Sequence, residues 1–403
     1  MDATSPLAQR RRILAVLCLA SAGWGFSFGL GVQLGSLWLL RAGCDASTVG
    51  LSTSIYYFGV AAAAPLLPWL MKRSSRGVVI AGMVADGLTT ALFPWGGGVF
   101  GWNLLRLLSG VSTALCLIPM ETRVNHNADP ARRARDFGIY AFSVALGVGL
   151  GPVVGLLLYD VAPRLAFGIG GAVALAMAGL LAIALPPEER AVEETKGDES
   201  VPMGAAFFSL GTAWTQGFLE GCMLTFLAVY LLGLGYSTAG TTELVGALFL
   251  GVVLFQIPGA LLADRLGRLR FLLACHGIVL VGLVLLPWCS GTATLGGLLF
   301  IVGACCAALY PLGLALLGES VPPGALAKAN AWYLACNCIG SVTGPWVTGK
   351  AIDLFGQRSM FAVGAGAVLL VVGVWWAGGL FGVRSAECGV RSNSNVVPRH
   401  EYN

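Results

Sequence analysis

Apolar runs long enough to cross a bilayer recur twelve times along this 403-residue chain. A hydrocarbon core about 30 Å thick takes roughly 20 helical residues per crossing. The runs at 13–40, 49–70, 77–93, 102–120, 137–158, 165–185, 203–232, 241–263, 269–286, 295–317, 331–352 and 361–381 suit that length. No water-soluble interior absorbs so much oily surface: 57% of the residues are hydrophobic and 11% are charged. Ordinary soluble domains carry roughly a quarter of charged residues. A cytosolic enzyme, a disordered chain and a disulfide-stapled secreted domain are thereby excluded. Backbone polar groups in lipid must be satisfied within the segment, so the runs predict helices and an all-α polytopic membrane protein. The first run follows Arg10–Arg12 but is too long for a signal-peptide core, and it is expected to stay in the mature protein.

The net charge of +4 matters less than its placement. Clusters of basic residues stand at 10–12, 72–76, 123–135, 190–196, 265–270, 328 and 384–399, between alternate pairs of apolar runs. The opposite connections hold Arg41, Arg164 and Arg358. Positive charge marks the cytoplasmic side, so both termini are expected inside. The intervening apolar runs argue against a basic surface for nucleic acid.

The stretch 186–202 reads PPEERAVEETKGDESVP and cannot bury itself. It predicts a solvated linker between a first six-helix unit at 1–185 and a second at 203–381. A cytoplasmic tail at 382–403 follows. The halves resemble each other at an offset near 193 residues. Gly147-x3-Gly151-Pro152 recurs as Gly340-x3-Gly344-Pro345, and Asp160 and Asp353 each stand eight residues after the proline. Phe167 pairs with Phe361, Arg164 with Arg358 and Arg135 with Lys328, while Glu121 and Glu319 each close the fourth run of their half. Several matches in one register argue for a duplicated six-helix unit, a common build for transporters with a site between repeats.

Three motifs carry a resemblance. Ala260-Leu-Leu-Ala-Asp264-Arg265-Leu-Gly267-Arg268 follows the eighth run, Arg106-x3-Gly110 lies in the fourth, and Gly147-x3-Gly151-Pro152-x2-Gly155 in the fifth. From Ile13 to Phe381 the chain resembles the major facilitator superfamily (MFS), and the fifth-run motif is similar to the signature of its drug–proton antiporters. The spacing Arg106-x3-Gly110-x10-Glu121 resembles a bacterial branch with few characterised members. The resemblance implies two pseudo-twofold-related six-helix bundles alternating access around a midplane cavity. It also implies a cytoplasmic latch at Asp264, Arg265, Gly267 and Arg268. The first-half counterpart, from Pro65 to Arg73, has lost the acid and both glycines.

Ionisable residues inside spans are functional candidates by default. Glu220 lies deep in the seventh run, one turn from Gln216 on the same helical face, and is the preferred proton carrier. Its alternative is an acid that only holds helices together. Asp86 in the third run and Arg106 in the outer half of the fourth complete the coupling or substrate set. By resemblance, Arg106 assists proton transfer or binds anionic substrate. Glu121 lies 15 residues beyond Arg106, about 22 Å along one helix. It is expected to meet loop arginines as a gating residue, mirrored by Glu319.

Trp24, Ser27, Gln33 and Tyr310 are candidate cavity liners, a set suited to amphipathic or cationic organic molecules. Gly147, Gly151 and Gly155 form a side-chain-free stripe, and Pro152 can bend the helix. With Gly344 and Pro345 they are read as a hinge surface between bundles. Cys305-Cys306 and Cys336-x-Cys338 lack histidines at metal spacing, and no nucleophile–base set or Walker loop occurs, so neither a metal, a cofactor nor an enzyme activity is expected. The leading expectation is a monomeric secondary transporter in a bacterial inner membrane, exporting a small organic solute against protons. A proton-coupled importer or facilitator of a sugar, amino acid or organic anion is the alternative. A non-transporting receptor or scaffold is the reading from another class.

Overall fold

The computed structural model describes residues 6–127, 133–187, 200–289, 291–322 and 325–380. Among them run twelve long helices and no strand. In chain order these are α1 (Pro6–Arg41), α2 (Ala46–Ala63), α3 (Leu67–Leu92), α4 (Val99–Asn127), α5 (Arg133–Tyr159) and α6 (Pro163–Ala184). The second half repeats them as α7 (Met203–Gly233), α8 (Thr238–Leu266), α9 (Arg268–Leu285), α10 (Thr292–Ser320), α11 (Leu326–Phe355) and α12 (Ser359–Leu380). Most of the expected linker and the whole of the expected tail lie outside the described residues.

Among the described residues, ten stretches are long and apolar enough to cross a membrane. One of them, Ala46–Trp95, is 50 residues long and contains both α2 and α3. A 3-10 turn at Ala64–Leu66 and a break in helical geometry at Ser74 divide it. Helix α11 is not among the ten: even its uncharged stretch 331–348 mixes Asn337, Ser341, Thr343 and Thr348 with its apolar residues.

Short-range chemistry sets the helix starts. The Asp45 carboxylate accepts the Thr48 amide at 2.8 Å and caps α2; the Ser237 hydroxyl accepts the Gly240 amide at 3.2 Å and caps α8. Either bond satisfies an amide that the first helical turn leaves unpaired. Gly43 and Gly235, at φ 86° and 89°, make the turns just before. The same turn-and-cap unit thus opens the second helix of each half.

The packing has a matching symmetry. In the first bundle α1 lies along α5 and α6, α2 along α4, and α3 along α4 and α6. In the second, α7 lies along α11 and α12, α8 along α10, and α9 along α10 and α12. Between bundles α2 packs on α11 and α5 on α8, an exchange that maps onto itself when the halves are swapped.

The glycine stripes do their packing inside each bundle. A Cβ added at Gly147 or Gly151 would sit on the carbonyl oxygens of Ala22 and Phe26 in α1. At Gly340 or Gly344 it would meet those of Trp214 and Phe218 in α7. Small residues on the facing stripe let the two backbones approach this closely. The expected surface between bundles therefore falls on another face of α5. There a Gly149 Cβ would stand 3.1 Å from Phe249 of α8, and Val153 lies by Gly246. The reason is angular: positions four apart share a face, whereas a two-residue step turns well away from it. Pro152 abuts Gly29 of α1, while the Pro345 carbonyl lies against Gly50 of α2, across the bundle boundary.

Candidate functional site

Three polar constellations stand where the bundles meet or within them. The first joins α7 to α11. Gln216 donates from Nε2 to Glu220 Oε2 at 2.5 Å, and Asn337 donates from Nδ2 to Gln216 Oε1 at 2.5 Å and to the Ala213 carbonyl at 3.1 Å. The Gln216–Glu220 bond follows from their one-turn spacing. Asn337 was not among the sequence candidates, since its partner lies 121 residues away. All three are half-buried. Tyr57 of α2, its hydroxyl buried without a protein partner, is within electrostatic reach of Glu220. Tyr310 of α10 is within such reach of both Glu220 and Glu121. Glu121 also senses Tyr140 of α5. Among the described residues no ion pair includes it. Of the loop arginines expected to meet it, Arg132 and the side chain of Arg133 lie outside the described residues.

The second constellation lies inside the first bundle. Asp86 and Arg106 are 1% and 4% exposed. Ser27 lies 3.3 Å from the Thr90 hydroxyl and within electrostatic reach of Asp86. Arg106 donates from Nη2 to the Val32 carbonyl at 3.3 Å and lies 4.9 Å from the Phe93 ring centroid. A cavity of about 20 Å³ opens beside it, lined by Ser27, Gly31, Thr90 and Ser109 among others. Trp24 stacks on Phe28 at 5.3 Å, and Phe28 on Tyr56 at 5.5 Å. Trp24 and Gln33 are buried, and each keeps one side-chain nitrogen without a protein acceptor. Of the four expected liners, only Ser27 lines this cavity.

The third constellation sits at the two ends of the molecule. At the end where α1 finishes, here the far end, Asp160 accepts Arg41 at 2.8 Å and also the Thr238 hydroxyl at the start of α8. Asp353, its duplicate, accepts the Ala46 amide at 3.0 Å and the Ser47 amide at 2.9 Å at the start of α2, together with the Ser47 hydroxyl. Each carboxylate thus ties one bundle's fifth helix to the other bundle's second. Thr238 and then Arg41 hold the Asp160 carboxyl below the ordinary carboxylate range. At the opposite end Arg268 bonds Asp264 at 3.4 Å and Glu319 at 2.8 Å. Those three residues all belong to the second bundle, so the expected latch motif ties α8 and α9 to α10. Gly267 ends α8 at φ 87°, and Arg265 is exposed. The aspartates were visible in sequence as repeat markers, but only the fold puts them opposite helix starts.

Two six-helix bundles related by a pseudo-twofold axis, with polar groups buried between and within them, define a polytopic membrane protein of the transporter class. The family model described as Major Facilitator Superfamily matches residues 13–244 and 211–384. The chain belongs to that superfamily. It is 28% identical over 358 residues to the uncharacterized MFS-type transporter YfkF of Bacillus subtilis (strain 168), covering 86% of this chain and 90% of YfkF. A bacterial homolog of the human lysosomal transporter Spinster, solved inward-facing and unoccupied, shares its fold at TM-score 0.73 and 16% identity, covering 93% of this chain and 97% of the other. A D-xylose–proton symporter does so at TM-score 0.74 and 17% identity, over 91% and 97%.

Proposed function

We propose that this protein is a proton-coupled secondary transporter of a small organic solute, working by alternating access, with Glu220 as proton carrier. The observation that carries this reading is the Asn337–Gln216–Glu220 chain, an ionisable group half-buried between helices and oriented by two amides. Protonation of Glu220 turns an acceptor of the Gln216 amide into a neutral acid with a proton to donate. Contacts around it then differ between the two states, which is what coupling requires. Gln216, Tyr57 and Tyr310 supply the polar and aromatic edge for a solute. Asp86 and Arg106 are two further buried ionisable groups in the first bundle, and they are not paired with each other.

The far end is closed by the two aspartate ties, which supports reading this conformation as open toward the Glu319 end. By the arginine clusters that end is cytoplasmic, with both termini inside a bacterial inner membrane. Units 1–185 and 203–381 rock as bodies, joined by the linker at 186–202, and one chain suffices. The glycine stripes at Gly147, Gly151 and Gly155 keep each moving body rigid, while Pro345 serves the sliding face. Asp264, Arg265 and Arg268, with Glu319, brace the second bundle's cytoplasmic rim, and Glu121 gates the path. The chain does no covalent chemistry in this reading. Export is favoured by the fifth-helix motif; import is the second reading, favoured by the fold likeness to a D-xylose–proton symporter.

The deciding experiment is reconstitution into liposomes with an imposed pH gradient and a panel of sugars, amino acids, organic anions and organic cations. Wild type is expected to move one class with gradient dependence. Glu220→Gln is expected to abolish gradient-driven accumulation while leaving downhill exchange. Identical pH dependence in both proteins overturns the assignment.

A further inference from the structure

Arg106 is a buried cation whose surroundings leave its charge uncompensated. Among the described residues no ion pair includes it. Its one protein hydrogen bond is the 3.3 Å contact to the Val32 carbonyl, and no protein group accepts from Nε. The ring of Phe93 at 4.9 Å offers a weak electrostatic partner. Gly35 of α1 makes room for the guanidinium, since a Cβ there would collide with it. A lone charge removed from water is costly unless it is paired and hydrogen-bonded. The pairing group is missing from the protein, yet the space for one is present. The cavity of about 20 Å³ beside Arg106 is bordered by the hydroxyl-bearing Ser27, Thr90 and Ser109.

We propose that this cavity is a binding site for one small monovalent inorganic anion, of the halide or nitrate kind, which neutralises Arg106 inside the first bundle. Charge balance sets the valence: one guanidinium faces the cavity, so a divalent anion would leave a net negative charge in a low-dielectric interior. Size excludes bulky organic anions. Asp86 is not among the residues that line the cavity. The site is separate from the Glu220 chain. The proposal rests on the fold and on Arg106, and its readout is binding rather than transport, so its failure and that of the Glu220 reading are distinguishable.

The test uses the full chain in lipid nanodiscs, prepared in sodium gluconate and titrated with sodium chloride, bromide or nitrate. Sodium sulfate at matched ionic strength is the control. Thermal unfolding and titration calorimetry are the readouts. Wild type is expected to be stabilised saturably by the monovalent inorganic anions and not by sulfate. Arg106→Gln removes the charged donor and is expected to weaken binding by roughly tenfold or more. Gly31→Ala is the second variant: its methyl group would stand 3.7 Å from Thr90, an ordinary contact, while filling the cavity. It is expected to fold normally and to lose the anion response. A wild-type protein that melts alike in chloride and gluconate, as it would if water alone occupied the space, overturns the proposal. So does a Gly31→Ala protein with an unchanged anion response.

Discussion

Asp353, near the end of α11, accepts the amide and the hydroxyl of Ser47, 306 residues earlier at the start of α2. The contact ties two bundles that share no other covalent route than the chain between them. A carboxylate at a helix N-terminus is favoured both by the unpaired amides and by the helix dipole. Its duplicate Asp160 makes the equivalent tie to Thr238. On the alternating-access reading, contacts of this kind exist only while the far end is closed and bias the equilibrium toward that state.

Removing either tie should open the far end. For Asp353→Ala the expected loss is about 1–2 kcal/mol, or roughly a 5–30-fold shift in the closed-to-open ratio. The double variant with Asp160→Ala should shift it further. Accessibility of single cysteines introduced along α2 to a membrane-impermeant thiol reagent, in a background lacking the native cysteines, measures the shift. Unchanged labelling in the double variant would show that the ties carry no weight.

Acidity at the far end should act in the same direction. Asp160 is held below the ordinary carboxylate range by Thr238 and then Arg41. In the open state it loses Thr238, the larger of the two causes, while Arg41 of its own bundle stays beside it, so it moves part of the way back toward its ordinary value. The tie therefore stabilises closure fully above the open-state value, and the stabilisation is lost as pH falls through the lower closed-state one. Labelling at the far end is expected to rise on acidification, and Asp160→Asn should flatten that part of the profile. A profile identical to wild type would remove Asp160 as its source.

The glycine stripes should tolerate no side chain. Gly151→Leu would drive a branched side chain against the carbonyl of Phe26 in α1, and Gly344→Leu would do so against Phe218 in α7. Backbone cannot yield as a flexible side chain can, so the cost should exceed the roughly 1–3 kcal/mol typical of overpacking. Thermal unfolding in detergent should fall by several degrees for each. Gly366→Ala, where an added Cβ meets nothing within 4 Å, is the matched control and should melt as wild type.

Asn337 should matter through Gln216. Asn337→Ala removes the donor at 2.5 Å from Gln216 Oε1 and frees the amide to rotate away from Glu220. Gradient-driven uptake is expected to fall roughly tenfold, in line with about 1–1.5 kcal/mol for one polar bond. The pH dependence should move with it, and Asn337→Asp should not restore it because a carboxylate cannot donate. Equal pH profiles for wild type and Asn337→Ala would make Asn337 a packing residue.

What the sequence determined by itself was everything that depends on neighbours a few turns apart or on transfer into lipid. The apolar runs set the number of long helices, because an unbroken apolar run of this length satisfies its own backbone in hydrocarbon only as a helix. The repeat of Gly147-x3-Gly151-Pro152 as Gly340-x3-Gly344-Pro345 implied two related bundles, and the Gln216–Glu220 spacing implied a bond along one face. Tertiary structure decided which faces meet. The stripe that looked like a boundary between bundles packs on α1, and the latch motif at Asp264 and Arg268 stays within the second bundle, bonded to Glu319. Asp353 meets Ser47, and Asn337 meets Gln216, only because helices far apart in the chain cross there. A helix's azimuth is set by packing against all of its neighbours at once, a condition that nearly uniform apolar runs leave almost unmarked.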